Sequence, residues 1–317
     1  MKSPTVAIVV PCYNEQPVLP HSYERLVKLL RALIGQDSVS KDSFICFIDD
    51  GSRDNTWEQI DAYSRESELV YGIKLSRNFG HQNALLAGLI EVGAKADCVI
   101  SIDADLQQDE HAMSEFLREY KEGSDIVFGV RGDRNTDGVF KRVSADCFYG
   151  LMSVMGVRLQ RNHADYRLMS KRAIEALGEY DEDNLFLRGI VPQIGFKQSV
   201  VNFDVRGRKL GESKYTLPKM ISFALNGITS FSITPLRIVT ALGFIFTIFS
   251  VLMSVYILVM KLVYETAVPG WASAVLPIYL LGGIQLLSIG IIGEYVGRIY
   301  MESKRRPRYI IEASTFD

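Results

Sequence analysis

The chain has 317 residues, with 35 Lys and Arg against 37 Asp and Glu, for a net charge of −2. That length allows one large or two smaller domains, and the charge balance argues against nucleic acid as a partner, because such binders carry a basic excess. Hydrophobic residues make up 48%, an ordinary total whose excess falls mostly after residue 230. Cys12, Cys46, Cys98 and Cys147 form no C-x-x-C pair, and three lie in or beside apolar runs. They read as reduced core thiols, not as a zinc site.

The first segment, "MKSPTVAIVV", is too short for a signal peptide and reads as a strand ending at Pro11. Four more short Val/Ile-rich runs follow: "FICFID" (44–49), "VYGIKL" (70–75), "DCVISID" (97–103) and "DIVFGV" (125–130). Periodic segments around 18–34, 54–67, 81–93 and 110–122 separate them. Strand–helix alternation of this kind predicts a mostly parallel sheet with helices on both faces. Ligands of such sheets bind at the carboxyl ends of the strands, and here each of the first four runs leads into a polar stretch: "PCYNE", "DDGSRD", "SRNFGH" and "DADLQQD". Residues 137–156 predict an amphipathic helix. Residues 216–233, apolar and small with Lys219 as the single charge, suit a membrane interface.

Two uncharged stretches come next, Ile238–Met260 and Thr266–Gly293. Each exceeds the ~20 residues that cross a bilayer. Arg237 precedes the first, and Arg298, Lys304, Arg305, Arg306 and Arg308 follow the second. The positive-inside rule therefore predicts a hairpin with both outer flanks, and the α/β domain, in the cytoplasm. Small residues at 282–283 and 290–293 allow close helix packing.

Asp103 and Asp105 stand two apart at a strand end, so both carboxylates can point one way. A hard cation, Mg2+ or Mn2+, is their natural partner, with Gln107 able to add a carbonyl oxygen. For D-x-D alone, a solvated loop with Asp109 capping the next helix fits equally well. Tyr13 offers an aromatic face, and Glu15 and Asp50 offer carboxylates able to accept an imide N–H, as uracil recognition requires. Turn chemistry, with Ser52 or Asp54 as helix cap, is the alternative for Asp50. Arg77 can meet phosphate. His81 is either a ligand or simply the start of a helix.

"VVPCYNE", "IDDGSRDNT", "LSRNFGHQNAL" and "DADLQQD", in this order, resemble the GT-A domain of family 2 inverting glycosyltransferases. "NHADYRLMSKRA" and "RGRKLGESKYTLPKM", ahead of two spans, narrow the likeness to polyisoprenyl-phosphate glycosyltransferases, in particular the bactoprenol glucosyltransferases of O-antigen modification. The resemblance implies an α/β GT-A fold, Rossmann-like with a mostly parallel sheet, over residues 1–215. It further implies an interfacial segment at 216–234, two transmembrane helices within 235–300 (about 237–261 and 273–297) and a cytoplasmic tail at 301–317.

The same resemblance implies that Pro11, Tyr13, Glu15 and Asp50 contact uridine, and that Asp103, Asp105 and Gln107 hold the metal and diphosphate. Asp165 falls where the family has its catalytic carboxylate. Arg208, Ser213 and Lys214 fall where it binds phosphate, and Arg131 and Arg134 match more loosely as contacts to the lipid phosphate. The implied reaction takes a UDP-sugar, glucose by overall likeness, to undecaprenyl phosphate with inversion; the alternative is the same reaction with another sugar or nucleotide donor, as in dolichol-phosphate-mannose synthases. The implied setting is a bacterial inner membrane, with the lipid bilayer as a partner, a homo-oligomer for which a tetramer fits, and a flippase and a periplasmic glycosyltransferase downstream. Because a phosphomonoester is mostly dianionic above its second pKa of about 6, Asp165 has two open roles: proton acceptor, or orienting group for the sugar or Arg167. Three rivals are weaker. A processive synthase needs a Q-x-x-R-W motif and more spans. A nucleotide-binding scaffold has no use for the acidic cluster. A transporter needs polar groups within its spans.

Overall fold

The computed structural model describes residues 3–132, 163–182, 186–203, 234–263 and 270–316, leaving aside some side chains in the two longest helices and at the first residues of β6. Eight strands form one sheet: β1 (Val6–Cys12), β2 (Phe44–Asp49), β3 (Val70–Leu75), β4 (Cys98–Ser101), β5 (Ile126–Arg131), β6 (His163–Ser170), β7 (Gln198–Phe203) and β8 (Ile311–Ser314). Their order is β7-β5-β6-β4-β1-β2-β3-β8. The helices of this part are α1 (Leu19–Gly35), α2 (Thr56–Glu66), α3 (His81–Gly93), α4 (Met113–Lys121), α5 (Lys171–Gly178) and the single turn α6 (Leu187–Ile190).

The predicted strand–helix alternation is present. β1, β2 and β4 are buried along their whole length, which is why each reads as a continuous apolar run and not an alternating one. The pairs β1–β2, β1–β4, β2–β3 and β5–β7 are parallel. β6 runs antiparallel between β4 and β5, and β8 runs antiparallel on β3. The result is a GT-A-like, mostly parallel mixed sheet. Its core joins Ile8, Val10, Phe47, Ile100, Phe116, Val127, Tyr166 and Leu168. Cys12, Cys46 and Cys98 are buried free thiols within it, in line with reduced core cysteines. Cys147 lies outside the described residues, as do the segments 137–156 and 216–233.

Strand order reverses direction between β1 and β4, because β2 and β3 lie on one side of β1 and β4 on the other. The two strands also part there. Pairing of β1 with β4 ends at Val9↔Ser101, whereas pairing with β2 continues to Cys12↔Asp49. Val9 faces β4, since its carbonyl accepts from the Ile102 amide, so Pro11, two residues on, faces the same way. Having no N–H, Pro11 cannot extend that ladder. A crevice at a switch point of this kind is where open α/β sheets bind ligands.

The chain divides into two compact units. One comprises Met1–Tyr149, Arg158–Tyr215 and Arg306–Asp317; the other comprises Gly150–Val157 and Thr216–Arg305. The α/β unit is therefore discontinuous in sequence. Part of the 301–317 segment, expected as a tail, forms its edge strand. The second unit holds α7 (Thr234–Val263, 30 residues) and α8 (Trp271–Ser303, 33 residues, with Pro277 inside). Taken over the described residues alone, no helix is long and apolar enough to cross a membrane.

Candidate active site

The acidic segment after β4 is a tight loop. The Leu106 amide donates to the Asp103 carbonyl at 3.2 Å, and Leu106 itself has φ +45°. The Asp105 carboxylate accepts from the Gln107 amide at 3.2 Å. Helix α1 braces the loop from outside: Ser22 hydrogen-bonds the Ala104 carbonyl, and Arg25 pairs with the nearly buried Glu110. The Tyr166 hydroxyl donates to the Asp109 carbonyl at 3.0 Å from β6. Asp109 does cap the following turn, accepting from the His111 amide at 3.2 Å. The helix-cap role and the D-x-D role therefore fall on different residues of one loop.

Asp103 and Asp105 are half-buried. Burial raises the Asp103 pKa; Asp165 and Asp105 add to the rise, while His81 and Gln108 oppose it. The Gln108 side-chain amide donates to Asp103, but its Oε1 is buried with no hydrogen-bond partner among the described residues. Two carboxylates and an unmet amide oxygen make a hard-oxygen donor set suited to a divalent cation. Among the described residues no group of three or more His, Cys, Asp or Glu is arranged to hold a metal. The oxygens present would meet only part of such an ion's shell.

The residues expected to contact uridine lie on two loops laced together. The Asn14 amide donates to Ser52 Oγ at 2.9 Å, the Glu15 amide to Thr56 Oγ1 at 3.0 Å, and the Arg53 amide to Asn14 Oδ1 at 2.8 Å. Pro11 is buried at the end of β1, Tyr13 stands 40% exposed, and Glu15 is half-buried. Asp50 is nearly buried, and its two oxygens accept from the Phe79 and Gly80 amides at 2.7 and 2.9 Å. Its carboxylate thus fastens the loop that leads into α3, an internal task the sequence did not show. Burial raises its pKa against those two amide bonds. Arg77 is exposed on that loop, its guanidinium 3.9 Å from the Phe79 ring centre. Arg131 is exposed at the end of β5. Arg134, Arg208, Ser213 and Lys214 lie outside the described residues.

Antiparallel pairing brings Asp165 to the acidic loop: the last register pair of β4 and β6 is Ser101 with Arg167, and Ser101 Oγ donates to the Asp165 carbonyl at 2.6 Å, so Asp165 stands beside the end of β4. Asp165 is 5% exposed and heavily partnered. Arg167, fully buried, meets its Oδ1 at 2.5 Å. Arg188 of α6 approaches through Nη2 at 3.0 Å and Nε at 3.3 Å. Gln82 Nε2 donates to it at 3.4 Å, and His81 Nε2 lies 3.5 Å from Asp165 and 3.7 Å from Asp103. Desolvation alone would raise the Asp165 pKa, but Arg188, His81 and Arg167 overcome it and hold it well below the ordinary carboxylate range. A carboxylate held in this way keeps its charge and is a poor proton acceptor. For His81, desolvation opposes a proton, but the hydrogen bond to Asp165 and the charge of Asp103 outweigh it and raise its pKa.

Asp103, His81 and Asp165 are thus gathered at one point; the sequence had singled out Asp103 and Asp165 and had left His81 open between a ligand and the start of a helix. Gln82, Arg188 and Gln108 carried no local signal. Their roles come from elements that meet only in three dimensions.

Residues 7–178 match the family described as Glycosyl transferase family 2. The chain belongs to that family. It is a glycosyltransferase. It is 49% identical to the uncharacterized glycosyltransferase YkoT of Bacillus subtilis (strain 168), over 99% of this chain and 93% of that one. It is 38% identical to the bactoprenol glucosyl transferase of Shigella phage SfV, over 97% of this chain and 98% of that protein. Among solved structures, a mannosyltransferase from Pyrobaculum calidifontis in complex with GDP-Man and Mn2+ is similar at 15% identity and a TM-score of 0.46, covering 94% of this chain and 85% of that one.

Proposed function

We propose that this glycosyltransferase moves glucose from a UDP-sugar to undecaprenyl phosphate, inverting the anomeric centre, at the cytoplasmic face of a bacterial inner membrane. The observation that carries the reading is the near full-length likeness to a bactoprenol glucosyl transferase, 38% identical across both chains. It extends past the α/β sheet into α7 and α8, the part a soluble donor and acceptor would not require.

In this reading the nucleotide lies in the crevice between the ends of β1 and β4, with Tyr13 against the base. Asp103 and Asp105, with Gln107 or Gln108 beside them, would hold Mg2+ or Mn2+. When bound, that ion neutralises charge growing on the departing UDP. The acceptor phosphate is already dianionic above its second pKa of about 6 and needs no base, which agrees with an Asp165 held as a permanent anion. The protein's own contribution is orientation and charge placement around the buried Asp165 and Arg167 of β6.

The membrane part follows from the acceptor, whose polyprenyl tail stays in the bilayer. Apolar side chains on α7 and α8 stand uncovered, Phe244 at 68% and Leu286 at 74% exposed, a surface that water does not tolerate over such lengths. The chain leaves the α/β sheet after β7 and rejoins it as β8, with the helix pair between them in sequence; the proposal takes α7 and α8 as a membrane hairpin and the segment 216–233 as interfacial.

Full-length protein incubated with a panel of labelled UDP-sugars, undecaprenyl phosphate and Mg2+ tests the proposal. UDP-glucose is expected to give labelled lipid. EDTA should abolish the product and excess Mg2+ or Mn2+ restore it, with Asp105→Asn losing at least about a hundredfold in rate. No lipid product from any UDP-sugar would end the reading, and full activity in EDTA would end its metal component.

A further inference from the structure

Burial alternates along the acidic loop. Ile102, Ala104, Leu106, Gln108 and Glu110 are buried, while Asp103, Asp105, Gln107 and Asp109 are half-buried. The carboxylates suited to an ion thus alternate with an inner set that rests on the core. Leu106 joins that inner set at φ +45°, a left-handed conformation that a bulky side chain keeps only where its surroundings impose it. Part of what surrounds the loop is helix α1.

Helix α1 buries Leu19, Leu26, Leu30 and Leu33 at helical spacing, and Ser22 stands fully buried in the same stripe. An apolar side chain would fill that place more cheaply, because a buried hydroxyl must find a partner. Its partner is in the acidic loop. Ser22 Oγ donates to the Ala104 carbonyl, which is nearer than the Val18 carbonyl of its own helix at 3.3 Å. Ala104 separates Asp103 from Asp105, so the bond fixes the planar peptide that leads into Asp105. Three residues on, Arg25 pairs with Glu110, whose side chain is 3% exposed and has His111 Nε2 at 3.8 Å. Such a pair adds little net stability over apolar packing, so stability alone does not account for it. At its other end α1 is tied to the loop of Tyr13: the Val18 and Leu19 amides both donate to the Glu15 carbonyl at 2.9 Å. One helix therefore grips both loops of the crevice.

We propose that Ser22 and Arg25 are positioning residues that act through the Ala104 carbonyl and Glu110 to hold Asp103 and Asp105 where a divalent cation and a nucleoside diphosphate meet. The proposal rests on the UDP-sugar and metal reading of the site. Neither residue touches the ion or the nucleotide. Their effect is on placement: α1 sets the acidic loop against the loop that receives the base, so that cation and UDP each favour binding of the other. Such support is reciprocal, and it should weaken from either side when the hold of α1 is cut.

The test compares full-length protein with S22A and with R25A/E110Q, which deletes the ion pair without changing net charge. Mn2+ binding is followed by its electron paramagnetic resonance signal with and without UDP, beside UDP binding in EDTA, the thermal midpoint, and the Mn2+ dependence of lipid transfer. S22A is expected to weaken Mn2+ binding in the presence of UDP about fivefold, as the loss of one hydrogen bond would. UDP binding in EDTA should not change. The Mn2+ concentration for half-maximal rate should rise in step, with kcat recovered at saturating Mn2+. R25A/E110Q should show the same pattern, and because Arg25 is 28% exposed it decides the matter if the buried S22A fails to fold. Wild-type Mn2+ affinity in both variants would overturn the proposal whatever their thermal midpoints. So would an equal loss of UDP affinity in EDTA, which would mean a general disturbance of the crevice. A loss in one variant alone would keep that residue and remove the other. If wild type takes up no Mn2+ beside UDP, the metal component of the proposed function fails and this placement with it. If it binds both in a Ser22-dependent way yet makes no glycolipid, the acceptor assignment fails and the placement stands.

Discussion

At the scale of the residue, the site depends on positions where the backbone admits one solution. Gly51 shows this best. Its φ is +63°, and a Cβ built on it would lie 2.4 Å from the carbonyl carbon of Arg77. The "DDGSRD" turn is therefore pressed against the loop that Asp50 fastens through the Phe79 and Gly80 amides. Gly51→Ala should destabilise the protein by about 1 to 3 kcal/mol, from a left-handed residue and a backbone that must retreat. It should also weaken UDP binding, because the loop it displaces leads directly to His81. Thermal unfolding and UDP titration check both effects, and a variant matching wild type in the two would show that the loop has slack. The sequence made the Gly legible as a turn residue. It did not reveal what the turn touches, since that neighbour is a backbone atom 26 positions away.

At the scale of the element, what was legible depended on burial. β1, β2 and β4 were readable because strands covered on both faces have only one kind of residue to offer, and β3 and β5 because most of their positions are buried. β6 escaped: "HADYRLMS" places Asp165 and Arg167 inward at 5% and 0% exposure, so its buried face looks polar until the two are seen to pair. β7, an edge strand with exposed alternate positions, is too short for its pattern to stand out. β8 was hidden by distance, pairing with β3 from the far end of the chain. It is nevertheless well fastened. Phe316 stacks on Tyr71 at 4.3 Å and meets Phe44 edge-on at 5.6 Å, Thr315 exchanges two hydrogen bonds with Gly72, and Lys74 pairs with Glu312 at 3.0 Å. Phe316→Ala in the full chain should therefore cost about 1 to 3 kcal/mol and leave the β3 edge open to pairing with other chains. A lower thermal midpoint with more aggregation is the expected result. No change in either would mean that β8 is not a stabilising part of the sheet.

At the scale of the whole molecule, chain connectivity stands beside the charge count. The positive-inside argument needs Arg298 through Arg308 to stay in the cytoplasm; that β7 precedes α7 and β8 follows α8 within one sheet joins both ends of the helix pair to the α/β unit along the chain, whichever side of a membrane that unit occupies. Arg308 strengthens the point: its guanidinium bonds the Tyr180 carbonyl and pairs with Asp181 at 3.0 Å, so part of the basic flank is also a clasp on the α/β unit. In the proposed hairpin the connection at 264–270 lies on the outer side and both outer flanks are cytoplasmic. In a Cys147→Ser background, where Cys12, Cys46 and Cys98 are buried, Ala274→Cys should react with an impermeant maleimide added to intact cells. Ser303→Cys should react only after permeabilisation. Labelling of Ser303→Cys in intact cells would put the acidic loop outside, away from the cell's UDP-sugars, and the donor assignment would fall with it. Labelling of neither before permeabilisation and both after would mean that the helix pair lies along the inner face without crossing, leaving the sheet argument intact and removing the hairpin.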